Sequence, residues 1–381
     1  RNKILYYSAF TEDLFYWDND LEADSEPKLK IQPNTFTDWL ITLLKELGED
    51  VNIVANFQRY TGSNTNPLFN EEYKKKVKDF NGKEVEITVP AFLEIVFQVA
   101  TRLPEGAQSS ADSVNDEQLV AQGQYKNIKI SKGEESNFIW SVFFTLLQQV
   151  VSTMDEPKIE DRVTDKFNSL EYVFIDDPVS SLDDSHLIAL AVDLAGLIKS
   201  SRYVGGKGLR FIITTHSPLF YNVLFNELSN DLKRTNADGT STKLYKRDQS
   251  EKYRFQKKSD GGFELLASND HPFSYHLFLL SELRAAITNN QIRKFHFNFL
   301  RNILEKTATF LGYSRWEDLL EKTAGGLPDP FANRILNLSS HSAHAGEEVT
   351  EIEDSDKERL AQLVLFLSET YRFKKQEVEN V

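Results

Sequence analysis

The run YVFIDDPVSSLDDSH, residues 172–186, constrains this chain more than any other segment. Tyr172 to Ile175 is continuously apolar and stops at two carboxylates, Asp176 and Asp177. Such a run, without polar alternation, suits a strand buried inside a parallel sheet. A second one, Phe211 to Thr215, follows. Between them Leu187, Leu190, Leu194, Leu197 and Ile198 keep helical spacing through to Ser200. Ser217 and Pro218 then supply an N-cap and a first-turn proline for another helix. The β–α–β–α order predicts an α/β fold with a parallel sheet.

A strand ending in acids places them at the carboxyl edge of the sheet, where α/β folds bind ligands. There Asp176 can organise Mg²⁺ through its water shell, and Asp177 can orient an attacking water. The pair alone fits a capped turn equally well. Three further motifs narrow the reading: Ser131, Gly133 and Glu134 in ISKGEE, Ser181 and Asp183 in SSLDD, and His216 closing FIITTH. Ser131 and Glu134 have capping-box spacing, so a helix is predicted from Ser131 to Val151. The start of such a helix also offers bare N–H groups to a phosphate.

In this order the motifs resemble those of ABC-type ATPases. The resemblance implies an ATP or GTP site with Mg²⁺ at Asp176, and His216 at the γ-phosphate. It further implies a pair of heads, in which the Ser131 turn binds nucleotide held by the opposite subunit and Ser181–Asp183 reach across the interface. In this fold a GxxxxGK[ST] phosphate loop precedes the strand at Lys3, and the chain contains no such run: either the loop is missing upstream of Arg1, which the lack of an initiator Met favours, or the head is degenerate. Gly205-Gly206-Lys207-Gly208 has neither the spacing nor the hydroxyl. ABC-type heads usually carry glutamate where Asp177 stands; the shorter side chain predicts slow turnover, suited to a switch rather than a motor.

Elsewhere, Lys3–Phe10 reads as a buried strand, and Thr37–Leu47 and Asn52–Tyr60 as helices split by Gly48. Residues 61–125 read as a variable insertion with a mobile Gly/Ser/Asp-rich loop, and 242–267 as short strands with an Asp-Gly-Gly turn. Beyond about residue 273 the pattern is helical. A chain of 381 residues fits two domains, drawn here at 1–268 and 269–381. The absence of cysteine excludes disulfides, thiolate metal sites and cysteine nucleophiles, and suits the cytoplasm. No apolar run approaches the roughly 20 residues that span a bilayer. The net charge of −14 argues against a general nucleic-acid coat. One basic stretch stands apart: Gln291–Trp316 has five lysines and arginines against Glu305 alone.

The blocks EDLFYWDND, ISKGEESNFIWSVFFTLL, YVFIDDPVSSLDD, FIITTHSPLFYNVLFNEL and LRNILEKTATFLGY closely resemble the bacterial anticodon nucleases of the PrrC family. That resemblance runs from about residue 3 to 345 and is weakest at 61–125. It implies an ABC-type head followed by a mainly helical C-terminal nuclease domain that cuts a transfer RNA, expected to be lysine tRNA, in its anticodon loop. It also implies silencing by a type I restriction–modification complex, a possible thymidine nucleotide ligand, and homo-oligomers of two or more subunits. Arg301, Glu305 and His341 match the family's proposed catalytic group, which works without a metal; His344 is a less suitable substitute. Read without the family, Arg301 and Glu305 form an ordinary helical i,i+4 ion pair, and His341 is a loop histidine. The anticodon-reading segment falls at Ser268, Asp270, Tyr275 and His276, where the aromatic rings suit unpaired bases or simple packing of the next helix. The competing reading is an ABC-type ATPase of DNA repair or chromosome maintenance without a nuclease. Such proteins insert a long coiled coil, for which 61–125 is too short and irregular.

Overall fold

The computed structural model describes residues 3–18, 27–78, 82–100, 125–178, 184–201, 208–235, 239–258, 261–268, 274–320, 322, 326, 329–331, 334–335 and 352–373. The chain divides into two compact units, Arg1–Asn269 and Asp270–Val381.

Unit 1 opens with β1 (Ile4–Ser8), β2 (Phe15–Asp18), β3 (Lys28–Ile31), α1 (Thr35–Leu47) and α2 (Asp50–Thr61). Strands β4 (Asn66–Phe69), β5 (Tyr73–Lys78), β6 (Glu84–Val89), β7 (Glu94–Ala100) and β8 (Tyr125–Ile128) lead to the long helix α3 (Lys132–Asp155). Next come β9 (Tyr172–Asp176), α4 (Asp184–Ser200), β10 (Arg210–Thr214) and α5 (Pro218–Leu228). Two hairpins close the unit: β11 (Leu232–Thr235) with β12 (Ser241–Tyr245), and β13 (Tyr253–Lys257) with β14 (Phe263–Ala267).

The parallel sheet has the order β1-β9-β10, and its register places Ser8, Asp176 and Thr214 side by side at the carboxyl edge. Two features differ from the sequence reading. Strand β1 stops at Ser8 rather than Phe10, because Ala9–Leu14 wind into a 3-10 helix whose start is fixed by Ser8 N–H donating to Thr11 Oγ1 at 3.1 Å. The strands are also not buried on both faces. Leu5, Tyr7, Val173 and Ile175 sit in the core, whereas Ile4, Tyr6 and Ile212 on the other face are exposed. The continuous apolar runs therefore serve a sheet that the described helices cover on one side.

Helix α3 is apolar nearly all round because it is enclosed nearly all round. Trp140 and Phe143 pack on Tyr7 of the parallel sheet at ring distances of 5.3 and 4.5 Å. Phe138 meets Phe97 of β7 at 5.1 Å and Phe57 of α2 at 5.8 Å. Strands β4, β7 and β8, from the stretch read as an insertion, are thus no appendage to this core. Strands β4, β7 and β8 join β2 and β3 in one antiparallel sheet, with Ile95 and Phe97 buried in the common core. The Gly/Ser/Asp-rich stretch within 101–124 lies outside the described residues.

Among its described residues unit 2 has helices α6 (Tyr275–Thr288), α7 (Lys294–Leu311) and α8 (Asp354–Thr370), and no strand. Leu279, Leu283, Phe297, Leu300, Leu304, Leu363 and Leu367 form its core. Phe310 and Leu311, apolar residues at the end of α7, are both exposed. Phe310 is rotated away from the Leu300–Leu304–Ala308 line, and Gly312 ends the helix in a left-handed cap directly after Leu311.

Candidate functional site

The acid pair and the strand beside it form one hydrogen-bonded cluster. The Thr214 hydroxyl donates to Asp176 Oδ1. Asp177 N–H donates to the Thr214 carbonyl at 2.9 Å. Asp177 Oδ1 in turn accepts from the Thr215 hydroxyl at 3.3 Å and from His216 N–H at 3.2 Å. The parallel register creates these contacts by setting Asp176 opposite Thr214. Asp177 takes a left-handed conformation, φ +48°, which aspartate tolerates better than most residues. The Ser217 hydroxyl caps α5 by accepting from Phe220 N–H at 3.3 Å, which fixes the turn carrying the exposed His216. Ser181 and Asp183 lie outside the described residues.

At the start of α3 the capping box is complete: Ser131 N–H donates to Glu134 Oε2 at 2.8 Å, and Glu134 N–H donates to Ser131 Oγ at 3.3 Å. Gly133 lies in this first turn. No hydrogen bond joins it to the acid pair among the described residues. Four residues missed in the sequence hold the turn in place. The Trp17 indole donates to Glu135 Oε2 at 2.8 Å, and Lys132 bridges Glu135 at 2.8 Å and Glu12 at 3.5 Å. Glu135 is buried in the first turn of α3, where a carboxylate demands partners.

In unit 2, Arg301 Nε donates to Glu305 Oε1 at 2.7 Å along α7, and both side chains remain partly exposed. His276 is half-buried on α6; burial, and then the charge of Lys306, hold its pKa below the ordinary value. Tyr275 is exposed and meets His276 edge-on at 5.5 Å. Ser268 is engaged in unit 1: its Oγ lies 3.1 Å from the Tyr221 hydroxyl, and its N–H donates to the Lys252 carbonyl at 2.8 Å. Asp270, His341 and His344 lie outside the described residues. No cluster of three or more His, Asp or Glu capable of holding a metal occurs among the described residues, and no helix there is long and apolar enough to cross a membrane.

The mixed α/β architecture with its parallel sheet is consistent with an ATPase-type nucleotide-binding domain. The family model for the AAA domain matches residues 114–368 and so runs on into unit 2. That domain implies binding of a nucleotide and Mg²⁺, and Asp176, at a sheet edge with one oxygen engaged by Thr214, is suited to the ion's water shell. Over 386 residues the chain is 46% identical to the anticodon nuclease of Escherichia coli, a match that covers 100% of this chain and 81% of that protein. The chain belongs to the anticodon nuclease family. No solved structure matches it.

Proposed function

We propose that this protein is a nucleotide-gated endoribonuclease that cuts a transfer RNA, lysine tRNA first among the expected substrates, in its anticodon loop. The observation that carries the reading is the Arg301–Glu305 pair at 2.7 Å on a partly exposed stretch of α7, in a chain 46% identical to an anticodon nuclease. An exposed i,i+4 pair contributes only about 0.3–0.5 kcal/mol to stability, so the fold does not depend on it.

The cut proceeds by attack of the ribose 2′-oxygen on the adjacent phosphorus as the bond to the 5′-oxygen breaks. The 2′-hydroxyl proton passes to a base, and an acid returns a proton to the leaving 5′-oxygen. Glu305 and His341 divide these two roles, and Arg301 offsets the negative charge that builds on the phosphoryl oxygens. The ends are a 2′,3′-cyclic phosphate and a 5′-hydroxyl, and no metal takes part.

Unit 1 supplies the gate. Asp177 orients the water that attacks the nucleotide, and the Ser131–Glu134 turn of one subunit meets nucleotide held by another across a head-to-head pair. Mg²⁺ bound with the nucleotide supplies charge neutralisation at the phosphates. ATP or GTP fills the site, with a thymidine nucleotide as a further candidate. The setting is cytoplasmic anti-phage defence, with a type I restriction–modification complex as the silencing partner. The test incubates the protein with total tRNA and nucleotide and maps the fragment ends. Anticodon-loop cuts bearing cyclic phosphate are expected; intact tRNA under every nucleotide condition overturns the proposal.

A further inference from the structure

The hairpin β13–β14 carries an apolar face that the core does not use. Tyr253 is 46% exposed, Phe255 66%, Phe263 62% and Leu265 62%. All four point to one side, because alternate residues of a strand share a face and the register pairs Phe255 with Leu265 and Lys257 with Phe263. The Phe255 and Phe263 rings are stacked, with centroids 5.1 Å apart and planes within 8°. The opposite face, Arg254, Gln256, Glu264 and Leu266, is half-buried.

The base of the hairpin is anchored in unit 1. The Tyr221 hydroxyl of α5 lies 3.1 Å from Ser268 Oγ, and Lys252 sits 5.2 Å from the centre of the Phe225 ring. The aromatic side chains are therefore displayed on a fixed support.

Charge selects the occupant. From Ser241 to Ala267 seven lysines and arginines stand against Asp248, Glu251, Asp260 and Glu264, a local excess of positive charge in a chain whose net charge is −14. Lys257 lies on the aromatic face itself, and Lys246 and Arg247 are exposed in the turn that precedes the hairpin. A second copy docked face to face would set cations against cations. A nucleic-acid strand suits both halves of the surface: its bases stack on the rings and its phosphates meet the lysines.

We infer that the outer face of β13–β14 binds unpaired RNA, stacking bases on Phe255 and Phe263 beside Lys257. The inference deepens the nuclease reading by giving unit 1 a hold on the RNA substrate, and it rests on that reading for the identity of that RNA.

The test uses the full chain and two labelled RNAs, an oligouridylate of about twelve nucleotides and bulk tRNA, with binding followed by fluorescence anisotropy at fixed salt. The double substitution Phe255→Ala/Phe263→Ala is expected to weaken both complexes at least about tenfold and to raise KM for tRNA rather than lower kcat. Phe255→Tyr/Phe263→Tyr, which keeps the stacking surface, is expected to restore binding. Unchanged oligouridylate binding by the alanine variant overturns the inference. So does a change from dimer to monomer in light scattering with RNA binding intact, because the face then joins copies of the chain. A parent protein that cuts tRNA while the alanine variant binds normally defeats the hairpin and leaves the nuclease reading standing. Hairpin-dependent RNA binding by a parent that leaves tRNA whole supports the hairpin and defeats the nuclease reading.

Discussion

Asp177 Oδ1 accepts the backbone N–H of His216 at 3.2 Å, so the acid directly after β9 and the turn after β10 are held as one piece. Asp177→Asn keeps the side-chain oxygen and the tolerance for positive φ but removes the charge. The variant is expected to bind nucleotide within a few-fold of the parent and to lose at least about 100-fold in hydrolysis. Phosphate release and equilibrium nucleotide binding, measured side by side, check this.

The same φ of +48° makes the residue that ABC-type heads usually carry a poor fit here. Asp177→Glu is expected to destabilise the protein by about 1 kcal/mol, because a longer side chain pays more for left-handed backbone. Urea denaturation measures the cost. A variant as stable as the parent and faster in turnover would contradict the account.

Arg301→Ala, Glu305→Ala and His341→Ala should each reduce tRNA cutting by about 100-fold or more. For Arg301 and Glu305 the melting temperature should hardly move, since an exposed pair contributes little. Gel analysis of tRNA fragments, paired with thermal melts, separates lost chemistry from lost fold.

Trp17→Phe removes the indole N–H from Glu135 and leaves the ring position filled. Glu135 is buried, so a stability loss of about 1–2 kcal/mol is expected by urea denaturation. Under the proposed head-to-head pairing, loss of the contact that steadies the first turn of α3 should also weaken nucleotide-dependent association, measured by sedimentation in the presence of nucleotide.

Among the acid-sensitive groups of unit 2, His296 and Asp356 act in separate pH ranges. His296 Nδ1 accepts Arg293 N–H at 2.8 Å, and burial, then the Arg293 charge, lowers its pKa from 6.5. The fold thus favours neutral His296; its contribution is full above pH 6.5 and is lost as pH falls through the lower folded value. Asp356 is held below 3.8, chiefly by its hydrogen bond from Arg334, so its contribution persists above that value and is lost on further acidification. Melting temperature should fall from pH 7 to 5, less steeply in His296→Gln. Asp356→Asn should cost about 2 kcal/mol near neutral pH by removing the carboxylate that Arg334 pairs with at 2.7 Å.

Legibility in the sequence followed the range of each interaction. The helices at α1, α2, α3 and α4, the caps at Ser131 and Ser217, and the strands at β9 and β10 all show in local pattern, because each is set by neighbours a few positions away. The role of 66–100 in the antiparallel sheet did not show. The alternation in Glu94–Ala100 has meaning only once β3, β4 and β8 are known to be its partners. The one-sided burial of the parallel strands is hidden from the sequence for a related reason, since an apolar run does not say how many faces other elements cover.

By itself the sequence determined the order of the motifs, the acids at the end of an apolar strand, and an arginine and a glutamate one helical turn apart. Tertiary structure alone decided that Asp177 meets Thr215 and His216, that Glu135 finds Trp17 across 118 positions, and that Phe255 and Phe263 stack in solvent rather than in the core. Periodicity acts along the chain and specifies which side of an element is apolar. Register and packing act between elements, and they settle which of those sides is covered and which polar groups meet.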